Sequence, residues 1–174
     1  CFVDYGTEKQ GFLPFKEIDY RYLPEINGQK TREFSKLQLG TELIVPVEKA
    51  ERGNKGAALT SYVTLPGRYL VLMPNNSRAG GISRRIEGEE RDELKSVMAQ
   101  LEVPHGMSVI LRTAALGRVI EELQWDLTYL LKLWSAIRAT AEEQGGSFLI
   151  YQESSLVIRS IRDHFSPDIS EILI

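Results

Sequence analysis

The sequence predicts an α+β protein, and three observations lead there. Residues 1–64 are short runs rich in Val, Leu, Thr and Tyr, set between Gly and Pro, which is the composition of strands joined by turns. Residues 118–143 repeat apolar side chains at helical spacing. Between them, residues 69–73 and 108–113 are apolar runs too short for helices and bounded by turn formers.

In order, residues 2–5 are expected to form a strand ending at Gly6, and residues 11–14 a second. Residues 19–32 read as a polar loop carrying Pro24 and Gly28. Residues 42–47 and 57–65 read as further strands. Short strands joined by turns suggest part of a small barrel. Residues 69–73 form an apolar strand, followed by turns at Pro74-Asn75-Asn76 and at Gly80-Gly81. Residues 89–101 place Leu94, Val97, Met98 and Leu101 at helical spacing, and Pro104 and Gly106 stop that helix. Residues 108–113 form a strand. The long helix of residues 118–143 aligns Ile120, Leu123, Leu127, Leu130, Leu131, Trp134, Ile137 and Ala141 on one face. Gly145-Gly146 ends it. Residues 148–151 read as a short strand, residues 153–165 as a helix with Leu156, Val157, Ile161 and Phe165 on one side, and Pro167 as its breaker. Residues 171–174 read as a last strand. Both chain ends thus fall in strand-like segments, so the chain is expected to be a fragment whose last strand needs a partner from elsewhere.

The 174 residues suffice for one medium domain or two small ones, and 43% apolar with 26% charged residues is ordinary for a folded chain. Net charge is −3, which announces no nucleic-acid partner. The distribution says more: residues 49–91 hold eight basic side chains (Lys49, Arg52, Lys55, Arg68, Arg78, Arg84, Arg85 and Arg91) against four glutamates. A local basic patch on an acidic chain points to a local anionic partner, or to a solvated surface. Cys1 is the only cysteine, which excludes an internal disulfide and a cysteine-rich zinc site and fits a reducing compartment. No apolar run is long enough for a membrane-spanning helix, and no secretory leader is read.

Two constellations could carry recognition. Phe2 and Phe12, with Tyr5, lie on neighbouring predicted strands. Facing outward, they would form a stacking platform for bases, with Lys49, Arg52 and Lys55 near phosphates; facing inward, they would be core. Arg112-Thr113 follows the apolar run Val109-Ile110-Leu111. A guanidinium fork matches two phosphate oxygens and a hydroxyl can donate to a third. The start of the long helix would help if aimed at the same place. An ordinary surface ion pair is the plainer reading of that arginine. Paired catalytic carboxylates, a histidine cluster and a Gly-rich nucleotide loop are all lacking. His105 and His164 lie far apart, and Glu89-Glu90 and Glu121-Glu122 read as solvated helix faces.

Several longer stretches are specific. They are Phe2-Val3-Asp4-Tyr5-Gly6, Gly11-Phe12-Leu13-Pro14, Glu51-Arg52-Gly53-Asn54-Lys55-Gly56-Ala57-Ala58-Leu59-Thr60, Tyr69-Leu70-Val71-Leu72-Met73-Pro74-Asn75-Asn76, Gly80-Gly81-Ile82-Ser83-Arg84-Arg85-Ile86-Glu87-Gly88 and Gln124-Trp125-Asp126-Leu127. Through them the chain resembles the RNase E/G family of bacterial endoribonucleases over essentially its whole length. The second and fourth favour the RNase E branch, with an RNase G-type fragment as the alternative.

The resemblance implies a domain map. Residues 1–61 correspond to a partial S1 domain of the OB-fold type, residues 62–157 to a mixed α/β 5′-sensor domain, and residues 158–174 to the start of an RNase H-like fold. It also implies roles. Phe2, Phe12 and Lys55 match RNA-contacting residues of the S1 surface. Arg112 and Thr113 match the pair that binds a 5′-monophosphate. Val71 matches the residue packing on the terminal base, Gly67 lies in the loop beside it, and Arg84 and Arg85 match a basic pair near the pocket. Catalysis in the family uses Mg²⁺ on aspartates of a later DNase I-like domain, and a zinc-link cysteine motif assists tetramer formation. Neither lies in this chain, which is therefore expected to bind no metal and to cleave nothing by itself. The implied partners are single-stranded RNA bearing a 5′-monophosphate, not DNA, and, for the parent protein, its own tetramer and the proteins of an RNA degradosome. The implied location is the cytoplasm, at the inner membrane face through the parent. The parent would serve mRNA decay and rRNA and tRNA processing. A fragment acting only as a folding or oligomerisation scaffold is the remaining alternative.

Overall fold

The computed structural model describes residues 1–23, 25–26, 29–30, 37–153, 155–165 and 169–173. The chain divides into two compact units. One comprises Cys1–Val63 with Arg138–Ile150, and the other Thr64–Ile137 with Tyr151–Ile174.

In the first unit, β1 (Phe2–Val3), β2 (Gly11–Phe12), β5 (Val47–Lys49) and β6 (Ala58–Leu59) form one mixed sheet in the order β1-β2-β6-β5. β1 and β2 are antiparallel with Phe2 opposite Phe12, and β2 runs parallel to β6 with Phe12 opposite Ala58. β3 (Glu25–Ile26) and β4 (Gln29–Lys30) make a separate antiparallel pair. The core gathers Leu13, Ile18, Leu23, Ala57 and Leu59, with Leu43 and Val45 packed against it. The apolar run that suggested a strand over residues 42–47 is half-buried over residues 43–46, but ladder pairing is confined to Val47–Lys49, with one further bond from the Thr60 N–H to the Pro46 carbonyl at 3.2 Å. Among the described residues the sheet is open and no barrel closes. Residues 19–23, expected as loop, include a 3₁₀ turn at Tyr20–Tyr22 whose N-terminal Asp19 accepts from the Arg21 amide at 2.9 Å. The remainder of that expected loop includes β3 and β4, while Pro24, Gly28 and Arg32 lie outside the described residues.

In the second unit, β7 (Leu65–Pro66), β8 (Leu70–Met73), β9 (Gly81–Ile82) and β10 (Ser108–Leu111) form a mixed sheet in the order β7-β8-β10-β9. The run expected as one strand over residues 57–65 is therefore two, in two different sheets. β8 and β10 bury Leu70, Leu72, Val109 and Leu111, which the register sets together on one face, while Val71 and Ile110 on the other face are half-buried. Gly80-Gly81, expected as a turn, instead leads into β9, which lies parallel to β10 with Ile82 opposite Leu111. Gly80 has a packing reason: a Cβ there would stand 3.1 Å from both the Ser108 Cβ and the Val109 carbonyl oxygen.

α1 (Gly88–Met98) buries Leu94. α2 (Ile120–Glu143) buries Leu123, Leu127, Leu130, Trp134 and Ile137, most of the face that periodicity marked. Gly146 beyond it has φ 84°, the left-handed conformation that glycine adopts most readily. α3 (Leu156–His164) is shorter than expected, and Leu156, Val157 and Phe165 are exposed. Residues 148–151 and 171–173 are not strands, because no described segment offers them a ladder. Ile174 and Pro167 lie outside the described residues. No described helix is long and apolar enough to cross a membrane.

Candidate functional site

Two surfaces carry the sequence-predicted residues, one in each unit. In the first, the antiparallel register sets Phe2 directly across from Phe12. Both rings are exposed, by 72% and 49%, so they face outward and are not core. Their centroids are 5.8 Å apart and tilted by 57°, a favourable aromatic pair. Tyr5 is different: it is half-buried and packs on the core of that unit. Lys55 is exposed in a tight turn where Arg52 and Lys55 exchange backbone hydrogen bonds at 3.1 Å. It lies three residues before Ala58, which pairs with Phe12.

The second surface is the end of the sheet where β7 stops, β8 starts and β9 and β10 both finish. Register brings these points together: Pro66 faces Val71, Leu70 faces Leu111, and Ile82 faces Leu111 from the other side. Gly67, Arg84, Arg85, Arg112 and Thr113 therefore lie at or just beyond the same end of the sheet, with Val71 one pair inside it. Thr113 is exposed and opens the 3₁₀ turn Thr113–Ala115. Arg84 and Arg85 are exposed in a turn that follows β9. That turn is shaped by Arg91 of α1, whose Nη1 donates to the carbonyls of Ile82, Ser83 and Ile86 at 3.4, 3.1 and 3.2 Å. Arg91, read from sequence as one more surface charge, is a structural clasp.

Arg112 is held on several sides. Its backbone N–H donates to Tyr69 at 2.8 Å. Its Nη1 donates to the carbonyls of Gly67 at 2.6 Å and Arg68 at 3.3 Å, and to Asp163 Oδ1 at 2.8 Å. The plain ion pair expected for this arginine is thus present, with Asp163 of α3 as partner. Among the described residues the side-chain hydrogen bonds of Arg112 run through Nη1, and the side chain is 29% exposed. Arg162 lies alongside, bonded to Pro66 O at 3.0 Å, Glu153 at 3.2 Å and Asp163 at 3.4 Å. The hydrogen bond from Arg112 is the main cause that holds the Asp163 carboxyl below its ordinary value. Burial pushes the other way, and the charges of Arg112 and Arg162 add to the lowering.

The hairpin turn of residues 67–70 is itself clasped by Asp126 of α2. Its carboxylate accepts from the N–H groups of Arg68 (3.2 Å), Tyr69 (2.8 Å) and Leu70 (3.1 Å). These three amides would otherwise be a ready anion cradle; the protein's own carboxylate fills it. The guanidinium carbons of Arg68 and Arg118 each lie over the Tyr69 ring, 5.2 and 5.6 Å from its centroid. The start of α2 is met by its own acids: the Val119 N–H donates to Glu122 at 3.4 Å, and Glu121 and Glu122 occupy the first turn.

Reasoning from the sequence missed Asp126, Asp163 and Arg162. A signal existed for the first. Asp126 sits on the apolar stripe between Leu123 and Leu130, where an acid needs a buried partner. No group of three or more His, Cys, Asp or Glu side chains that could hold a metal ion converges among the described residues.

The Ribonuclease E/G family model matches residues 64–174. This chain belongs to the Ribonuclease E/G family. It is 55% identical over its whole length to ribonuclease E of Escherichia coli (strain K12) and to that of Haemophilus influenzae, spanning 17% and 19% of those proteins. Identity to ribonuclease G of Escherichia coli (strain K12) is 35% over 99% of the chain and 36% of that protein. The chain is thus closer to ribonuclease E than to ribonuclease G, and it spans less than a fifth of these two ribonuclease E relatives.

Proposed function

We propose that this chain is the RNA-binding and 5′-end-sensing portion of an endoribonuclease that hydrolyses single-stranded RNA in mRNA decay and in rRNA and tRNA processing. The observation that carries the reading is the placement of Arg112, Thr113, Arg84, Arg85 and Gly67 at one end of the sheet, with Arg112 bonded to the Gly67 carbonyl. Among the described residues the side chain of Arg112 is pinned there through one nitrogen, Nη1. A terminal phosphate dianion beside that side chain gains charge-assisted hydrogen bonds from a guanidinium already oriented for it, with the Thr113 hydroxyl as a neighbouring donor. Val71 lies one pair further into the sheet, opposite Ile110 and Pro66, as an apolar support for the terminal base. In the other unit the outward pair Phe2 and Phe12 offers two ring faces to unstacked bases, with Lys55 for the backbone.

In this reading residues 1–61 act as an S1-type module, residues 62–157 as the 5′ sensor and residues 158–174 as the beginning of an RNase H-like segment. Hydrolysis itself belongs to carboxylates outside this chain, which would hold Mg²⁺. Zinc-linked tetramer formation, degradosome partners and a cytoplasmic site at the inner membrane face would likewise belong to the whole protein.

The test is Arg112→Ala, measured as binding of a 5′-monophosphorylated and a 5′-hydroxyl RNA of one sequence. Loss of a charged hydrogen bond is worth about 1.5–3 kcal/mol, so the preference for the phosphorylated end should fall by at least about tenfold. An unchanged preference would remove Arg112 from the phosphate site.

A further inference from the structure

We propose that Asp126 is a positioning residue for Arg112, acting through the three peptide groups of the β7–β8 turn; the proposal rests on Arg112 being the phosphate ligand. Three consecutive peptide groups connect the two side chains. The first joins the Gly67 carbonyl to the Arg68 N–H, the second Arg68 to Tyr69, the third Tyr69 to Leu70. On the N–H side all three donate to the Asp126 carboxylate. On the carbonyl side all three accept from Arg112, the first two from Nη1 and the third from its backbone N–H.

A peptide group is planar, so fixing its N–H fixes the direction of its carbonyl. Asp126 thereby aims three carbonyl oxygens at one arginine. For the first two groups a carboxylate at one end and a guanidinium at the other also polarise the intervening amide in the same sense, which strengthens the bonds on both sides. The close approach has a sequence requirement. A Cβ at position 67 would lie 2.5 and 2.6 Å from the two Asp126 oxygens, so glycine is needed for the carboxylate to reach the amides. The turn also keeps a bond of its own, from the Gly67 N–H to the Leu70 carbonyl at 2.8 Å. The hairpin therefore stays closed while its other peptide groups serve the arginine.

The experiment compares Asp126→Asn, Arg112→Ala and the double variant in the full chain. The probes are 5′-monophosphorylated and 5′-hydroxyl RNA oligonucleotides of one sequence, read by fluorescence anisotropy. Asp126→Asn is expected to lower the preference for the phosphorylated end by about tenfold while 5′-hydroxyl RNA binds as before. The double variant is expected to lose no more preference than Arg112→Ala alone. If Arg112→Ala loses the preference but Asp126→Asn keeps it, or the double variant loses preference additively, the positioning role is wrong. If Arg112→Ala keeps it, the phosphate reading fails first, and the proposal fails with it. Should Asp126→Asn not fold, the unsubstituted chain decides by NMR. Titration with the phosphorylated oligonucleotide must shift the amide signals of Arg68, Tyr69 and Leu70 together with the Arg112 side-chain N–H. Shifts at Arg112 alone, or at none of these groups, overturn it.

Discussion

Replacing Gly67 with alanine probes the hairpin clasp from the side that adds only one methyl group. The new Cβ would stand 2.5 Å and 2.6 Å from the Asp126 oxygens and 2.8 Å from its Cγ, all closer than atoms can rest. The hairpin is a strand-locked turn whose Arg112 bond to the Gly67 carbonyl is 2.6 Å, so Asp126 is the group that must yield. Swinging it away breaks three N–H bonds to a carboxylate, at 2.8, 3.1 and 3.2 Å. Each such bond contributes about 1.5–3 kcal/mol when its acceptor is charged. The turn is only part-buried, so water recovers a share, and a net loss of about 2–4 kcal/mol remains. For a chain of this length that corresponds to a fall in Tm of roughly 5–15 °C. Thermal unfolding followed by circular dichroism measures it, with Gly81→Ala as the control, since nothing stands within 4 Å of a Cβ at that position. Adding Asp126→Ala to Gly67→Ala should cost little more, because both remove the same bonds. A Gly67→Ala protein as stable as the Gly81→Ala control would refute the clasp.

Other outcomes follow from the same geometry. Leu111→Ala, at a fully buried position in the strand between β8 and β9, should cost about 2–5 kcal/mol in denaturant unfolding through the cavity it leaves. Asp163 is held below its ordinary value, so its ion pair contributes stability above the unfolded-state value near 3.8. That contribution is lost as pH falls through the lower folded value. The stability difference between Asp163→Asn and the unsubstituted protein should accordingly be constant near neutrality and vanish in strong acid, where a difference independent of pH would exclude the pair as its source. Phe2→Ala with Phe12→Ala should leave stability nearly unchanged, since both rings are exposed. The same double change should weaken single-stranded RNA binding by about 1–3 kcal/mol per stacked base; filter binding at fixed salt reads it.

How much of this was legible beforehand depends on the range of the interaction. Periodicity placed α1 and α2 and the apolar face of α2 because a helix satisfies its own backbone, so the pattern alone predicts the element. It failed for residues 42–46 and 148–151. Their side chains are largely apolar, but a strand exists only where another edge offers N–H and C=O groups, and that edge is not written in the segment. Gly80-Gly81 misled for the same reason: a glycine pair spells a turn locally, whereas here it permits close approach to β10.

The candidate site divides along the same line. The sequence by itself determined the family, the α+β class, the outward-or-inward question for Phe2 and Phe12, and the Arg112–Thr113 pair at the end of an apolar strand. All of these are local or carried by contiguous stretches. Only the tertiary structure decided that the two phenylalanine rings face outward, that Arg112 already has a carboxylate partner, and that Asp126 clasps the turn beside it. Those contacts join residues 57, 45 and 51 positions apart, for Asp126–Tyr69, Arg112–Gly67 and Arg112–Asp163. A hydrogen bond across such a separation depends on how helices dock on a sheet edge, and no local pattern of side chains encodes that docking.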